Sequence, residues 1–188
     1  MPELIFDEEN HLYFVDGRVI PSVTQILTQS GILDKRFFKA GAAERGTRIH
    51  SLCEQIANGL KPDEENGYTE AFRAFLKDAR VEPAAVEHRA YSYLDFAGTI
   101  DLIAVFRGEL VVIDIKTGVY QEWWSLQLAG YALLLENENI RRFSLEIKDT
   151  GKYKLTEYEN NQEDIGRFLN AFETYKQLYQ GNFMADFC

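Results

Sequence analysis

Three observations predict an α/β fold in which a central sheet is flanked by helices. Two β-rich runs, about 96–106 and 109–117, flank Arg107-Gly108 and are apolar at nearly every position, as strands covered on both faces would be. Segments before and after them carry apolar residues at the spacing of one buried helical stripe. The chain has 188 residues, 46% of them hydrophobic and 13% aromatic, which suits one domain that buries roughly 70% of its unfolded surface.

The elements follow in order. Leu4-Ile5-Phe6 and Leu12-Tyr13-Phe14-Val15 read as short strands, with a turn at Asp16-Gly17 before Val19-Ile20. Pro21 stops this meander, and Ser22 caps a short helix through Val23, Ile26 and Leu27 that Gly31 ends. Residues 35–58 read as helical, with Ile49, Leu52, Cys53, Ile56 and Leu60 on one stripe and Asn58-Gly59 as the stop. Gly41 and Gly46 interrupt its first half, each as a kink or a close approach of another backbone. A polar loop runs from Asp63 to Tyr68, and a second helix covers Glu70–Lys77 before Pro83. Three strands follow, at about 84–93, 96–106 and 109–117, then a helix at about 120–136. Ile140–Ile147 and Lys152–Tyr158 read as strands joined by a turn at Asp149-Thr150-Gly151, and a closing helix spans about 161–179.

Composition narrows the function. No apolar run approaches the roughly 20 residues of a membrane span, and Met1-Pro2-Glu3-Leu4 does not open a signal peptide, so cytoplasmic residence is expected. Cys53 and Cys188 offer neither a disulfide framework nor a metal cluster. A net charge of −10 argues against a general nucleic-acid coat protein, because phosphate binding is driven by cationic side chains. It leaves room for a local basic groove, and Lys35, Arg36, Lys39, Arg45 and Arg48 stand against Glu44 alone in residues 35–48. That run serves equally as a solvated helix face.

The chemistry concentrates around the Arg107-Gly108 turn. In a two-residue hairpin Phe106 pairs with Glu109, and each further pair steps one residue along both strands. Asp101 then faces Asp114, with Cβ atoms roughly 4.5–5.5 Å apart. Lys116 projects from the same face as Asp114. Ile100, Leu102, Ile103, Ile113 and Ile115 surround these charges, so unpaired carboxylates would be costly. A divalent cation is the simplest neutraliser.

Read by themselves, the neighbouring residues are ordinary. His50 is a capped or surface histidine, and Glu54 one turn later is a solvated glutamate that could also orient His50 or reach a metal. Gln127 could bridge strand backbone and phosphate, while Tyr131 reads as a core aromatic and Trp123 and Trp124 read as core or, for one of them, as a stacking face for a base. Glu82, Glu87 and His88 read as edge polar residues, with a further ligand role open for Glu87.

Together, the motifs resemble the PD-(D/E)XK nuclease superfamily, and within it the RecB-like exonucleases and their phage and CRISPR-associated relatives. His50, within Arg45-Gly46-Thr47-Arg48-Ile49-His50, looks like the helical histidine ligand. Gly98-Thr99-Ile100-Asp101, Asp114-Ile115-Lys116-Thr117-Gly118 and Gln127 to Tyr131 look like the aspartate, D-x-K and Q-x-x-x-Y motifs. Ile100 replaces the proline of the superfamily name, and the cysteines of an iron–sulfur cluster are missing, so no cluster is expected.

The resemblance implies a restriction-endonuclease-like core, a central mixed sheet flanked by helices in the order αβββαβ. That core would cover about 35–180 of a single domain 1–188, with 1–33 as an N-terminal extension. It implies a DNA exonuclease of recombination, repair or phage DNA processing, with an endonuclease or a catalytically silent binding relative as alternatives. A hydrolase of a small phosphorylated substrate is disfavoured by the long flanking helix and the basic run. Asp101, Asp114, the Ile115 carbonyl and His50 would hold Mg²⁺ or Mn²⁺. Lys116 would orient the attacking water and stabilise developing charge. Gln127 and Tyr131 would support the strand ends and touch the nucleic acid, and Arg45, Arg48 and the residues near Lys35 would line the access groove. Processivity would come from a helicase, recombinase or annealing-protein partner, or from an oligomeric ring.

Overall fold

A computed structural model describes residues 2–34 and 41–183, with side chains as far as 179. Strands β1 (Leu4–Asp7), β2 (Leu12–Val15) and β3 (Arg18–Ile20) form the N-terminal meander. Asp16 and Gly17 both have positive φ, the geometry a two-residue hairpin turn requires. Helix α1 (Val23–Gln29) opens with a complete capping box, in which Ser22 and Gln25 each satisfy the other's backbone N–H.

Helices α2 (Ala42–Ala57) and α3 (Gly67–Asp78) lead into strands β4 (Glu82–Ser92), β5 (Phe96–Phe106) and β6 (Glu109–Lys116). Helix α4 (Trp124–Leu134) crosses to β7 (Arg141–Ile147), and β8 (Tyr153–Tyr158) precedes helix α5 (Asn161–Phe183). The main sheet has the order β4-β5-β6-β7-β8, and it is mixed because β6 and β7 run parallel. Among the described residues no helix is long and apolar enough to cross a membrane.

Several boundaries differ from the sequence reading; helix α4 starts at Trp124 rather than about 120, and α5 runs on to Phe183. The helix expected from residue 35 starts only at Ala42, because Gly41 is left-handed (φ 72°) and cannot continue it. Lys35, Arg36 and Lys39 lie outside the described residues. Helix α3 begins at Gly67, inside the expected polar loop, because Asn66 caps it by accepting the N–H groups of Tyr68 and Thr69. Pro83 lies within β4 rather than before it. An edge strand tolerates the missing N–H, and the register shifts between Pro83 and Ala85.

Two cores sandwich the sheet. Helices α1, α4 and α5 pack on one face around Val23, Leu128 and Phe168, and α2 and α3 pack on the other around Leu52, Phe72 and Phe75. Every residue of α4 is buried, as expected of a helix apolar on all sides. Gly130 allows α1 and α5 to pack close against α4, since a Cβ there would lie 2.9 Å from Val23 Cγ1 and 3.0 Å from the Phe168 ring.

The β5–β6 hairpin has the expected register. Five pairs run from Phe106↔Glu109 to Leu102↔Ile113 across an Arg107-Gly108 turn with φ positive at both residues. The ladder then stops one step short of the expected Asp101–Asp114 pair, so the two carboxylates do not face each other as a regular cross-strand pair. The cause is visible in the packing. Side chains two residues apart on a regular strand share a face, yet Ile100 packs with the α4 core and Leu102 with the α2–α3 core. The alternation of β5 therefore breaks at Asp101. The neighbouring strand breaks with it, because Ala85 and Ala90, an odd number of residues apart, both pack toward α4. Glu87 lies between them with φ 46°.

Candidate active site

The break in β4 and β5 brings acids to one end of the sheet. Asp101 Oδ2 accepts the Ile115 N–H at 2.7 Å, so a side chain replaces the ladder bond that the kink removes. Helix α2 supplies His50 from the rim of its buried stripe, and His50 Nε2 lies 2.9 Å from the Ile115 carbonyl. A carbonyl only accepts, so Nε2 carries a hydrogen in this arrangement. The other nitrogen, Nδ1, faces Asp101 Oδ1 at 3.5 Å and Glu87 Oε1 at 3.8 Å. The donor atoms of His50, Glu87 and Asp101 lie within 4.8 Å of one another, close enough to hold a metal ion together.

Asp114 sits deeper, 1% exposed, and neither of its carboxylate oxygens has a hydrogen bond among the described residues. Lys116 Nζ approaches Oδ2 to 2.6 Å as an ion pair, without the angle of a hydrogen bond. That ammonium instead donates to Gln127 Oε1 at 2.7 Å, and Gln127 Nε2 donates to the Tyr131 hydroxyl at 2.7 Å. The pair of bonds fixes which end of the Gln127 amide faces Lys116, since an ammonium only donates. Lys116 Nζ also lies 5.0 Å from the Trp123 ring centroid and 5.7 Å from that of Trp124. Gly98, of the aspartate motif, leaves room for this wall, because a Cβ there would lie 3.4 Å from Tyr131 Cε1 and 3.0 Å from Leu134 Cδ1.

The electrostatics follow from burial. Desolvation pushes Asp114 up to about 6, against the opposing pull of Lys116. Desolvation, aided by the Asp101 charge, pushes Glu87 up to about 7. Burial pulls His50 down, but Asp101, Asp114 and Glu87 together outweigh it, and the net direction is upward. Tyr131 is raised by burial and by the two aspartates, which keeps its hydroxyl protonated. Three carboxylates thus crowd around two basic groups, a surplus of negative charge suited to a divalent cation.

The structure brings together His50, Asp101, Asp114, Ile115, Lys116, Gln127 and Tyr131. Arg45 and Arg48 are exposed on α2, and Arg48 pairs with Glu64. Helical residues two apart do not face each other, so Arg48 turns away from His50. Glu54 is half-buried and its charge reaches Glu87. Glu87 itself corrects the reading of an ordinary edge polar residue. Its left-handed backbone, strained for a non-glycine residue, joins it to the cluster with Asp101 and His50. The signal was available in principle. The Ser92↔Phe96 pair closes a three-residue hairpin, and its register sets Glu87 opposite Asp101. A cleft lined by Asp78, Arg80, Glu82, Arg107 and Tyr153 lies at the other end of β5, away from these residues.

The chain is similar to several known proteins. Mitochondrial genome maintenance exonuclease 1 of Homo sapiens is 30% identical over 53% of this chain and 37% of that protein. The protein of the same name from Mus musculus is 32% identical over 52% of this chain and 37% of its own length. The chain therefore spans well under half of these relatives. Among solved structures, an alkaline exonuclease (LHK-Exo) from Laribacter hongkongensis aligns over 89% of this chain and 94% of its own, at 13% identity and a TM-score of 0.44. A phage related exonuclease from Haemophilus somnus 129PT aligns over 86% and 96%, at 12% identity and a TM-score of 0.37. The family model of the PD-(D/E)XK nuclease superfamily matches residues 63–186, a span that holds Asp101, Asp114, Lys116, Gln127 and Tyr131. With most of its length matched, the chain belongs to the PD-(D/E)XK nuclease superfamily.

Proposed function

We propose that this chain hydrolyses phosphodiester bonds of DNA with a divalent cation, acting as an exonuclease on strand ends. The observation that carries the reading is Asp114, a buried carboxylate with no hydrogen bond, set beside Lys116 and the His50–Glu87–Asp101 cluster. A buried carboxylate held by a single ion pair, crowded by two further acids, is too costly to serve packing alone. The exonuclease names of the curated relatives support the choice of end-directed cleavage. The setting we propose is the processing of DNA ends in recombination, repair or phage replication, alongside a helicase, recombinase or annealing protein.

Asp101, Asp114, the Ile115 carbonyl, His50 and Glu87 would hold the cation. The donor set is mostly oxygen with one imidazole, which suits Mg²⁺ and accepts Mn²⁺. When bound, the cation would supply positive charge beside the scissile phosphate and favour ionisation of the attacking water. The protein's own groups do the rest. Lys116 Nζ, held by Gln127 Oε1, donates to the attacking water or to a phosphate oxygen. Tyr131 holds the amide of Gln127, and through it the ammonium. Arg45, exposed on α2, would approach the phosphate backbone of an incoming strand.

End-labelled linear DNA and covalently closed DNA, each with Mg²⁺, Mn²⁺ or EDTA, test the reading. Metal-dependent loss of the linear substrate alone is expected. Cutting of the closed circle would make the chain an endonuclease, and retention of both substrates on the protein without cleavage would make it a binding module.

Cation binding is separately measurable. Glu87→Gln is expected to weaken Mn²⁺ affinity about tenfold or more in titration calorimetry. Affinity of the unaltered chain is expected to fall from about pH 8 to about pH 5.5, because protons compete for Glu87 and Asp114. Stability of the metal-free chain runs the other way. The folded pKa values, about 7 and about 6, lie above the ordinary carboxylate values. The folded state therefore takes up protons first, and melting temperature falls as pH rises through that window. Unchanged Mn²⁺ affinity in Glu87→Gln would remove Glu87 from the ligand set.

A further inference from the structure

We propose that Tyr120, with Val119 beside it, is the nucleobase contact of this site, stacking on the base next to the phosphate at Lys116 in an unpaired strand end. The proposal rests on the nuclease reading above. Val119 is 78% exposed and Tyr120 46% exposed, three and four residues after Lys116. Solvated loops have no need of apolar side chains, and a pliable loop would fold them inward.

This loop is pinned instead. Lys148 Nζ donates to the Gly118 carbonyl at 2.6 Å. Lys148 is itself anchored 3.7 Å from the carboxylate of Glu146, whose side chain is 9% exposed, and which pairs in register with Lys116 across the parallel strands. On the other side the Tyr120 and Trp124 rings meet at 5.4 Å and 74°. The T-shaped contact fixes Tyr120 without covering it. Trp124 in turn lies 5.7 Å from Lys116 Nζ, so two contacts connect the exposed ring to the reacting end.

The chemistry selects the ligand. The phosphate belongs to Lys116 and the acidic cluster, and the group attached next to a phosphate is a sugar with its base. Tyr120 and Val119 carry no cation for a second phosphate. An aromatic face accepts any base, because every base has a π-face. A base paired in a duplex has its faces occupied by its neighbours, so the contact favours an end that is single-stranded or frayed.

The test uses the full chain carrying Lys116→Ala, so that DNA is bound and not cut, with Mn²⁺ and single-stranded oligonucleotides bearing the fluorescent base 2-aminopurine at the first, second or third nucleotide. Binding is expected to quench one of these positions by stacking. Adding Tyr120→Ala should abolish the quench and weaken binding about tenfold, and Tyr120→Phe should preserve both. An abasic oligonucleotide should bind the parent as weakly as the normal one binds the Tyr120→Ala form. Equal quenching and affinity with and without Tyr120 would overturn this proposal alone. Failure of the parent to bind any oligonucleotide, together with absence of cleavage by the unaltered chain, would overturn the nuclease reading and this proposal with it.

Discussion

Lys116→Ala is expected to lower the cleavage rate by about 10²–10³-fold or more while Mn²⁺ binding survives. The two effects separate because Lys116 and a cation compete for the same carboxylate. Nζ stands 2.6 Å from Asp114 Oδ2 and neutralises a carboxylate whose pKa burial pushes up to about 6. Without the ammonium the Asp114 pKa moves further up, and a proton or a cation takes the vacated role. At about pH 8 the cation wins, so calorimetry should find affinity equal to or tighter than that of the unaltered chain. Lys116→Arg is not expected to rescue the rate. A guanidinium is wider, stays protonated and presents a planar fork where one Gln127 oxygen receives a point charge. Full activity in Lys116→Ala would remove Lys116 from the chemistry and leave it a charge-balancing role only.

The largest loss of stability is expected at Arg142, far from any substrate. Its side chain is fully buried, on the α4-facing side of β7. It donates to Asp164 Oδ2 at 2.9 Å, to the Ser125 carbonyl at 3.0 Å and to Asn161 Oδ1 at 3.0 Å. Ser125 Oγ completes the ring by donating to Asp164 Oδ1 at 3.0 Å. Arg142→Ala leaves the Asp164 charge buried without its partner, at a cost of about 3–5 kcal/mol. For a chain of this size that is a fall of roughly 10 °C in melting temperature. The double variant Arg142→Met, Asp164→Leu is expected to recover most of it, since matched apolar groups replace a buried ion pair without penalty. The same network ties α4 to β7 and α5 two residues before Gln127. Arg142→Ala should therefore also lower kcat at temperatures where it remains folded, with Mn²⁺ affinity unchanged. A loss under about 1 kcal/mol in denaturant titration would mean that Asp164 reaches water and the pair is not sealed.

The legibility of the site tracks the distance over which each residue's position is decided. The Arg107-Gly108 hairpin is local. Turn length and β-sheet geometry set its register, and the observed pairs from Phe106↔Glu109 to Leu102↔Ile113 follow it. The same-face placement of Asp114 and Lys116 needs only the two-residue period of a strand. Gln127 and Tyr131 are one helical turn apart, and their hydrogen bond follows from helix geometry once α4 forms. Family resemblance had to supply His50, because its bond to the Ile115 carbonyl spans 65 residues and nothing local announces it.

Residue order alone thus determined the strands, the hairpin register next to the Arg107-Gly108 turn, the capping of α1 and the shared face of Asp114 and Lys116, each of which follows from steric and periodic rules over a few residues. Tertiary packing decided the rest. It ended the β5–β6 ladder at Leu102, turned Glu87 from an edge residue into a neighbour of Asp101, set Arg48 against Glu64, and sealed Arg142 with Asp164. These outcomes share one physical reason. A left-handed glutamate and a buried arginine are each unfavourable locally, and they persist only because contacts between distant segments outweigh the local cost.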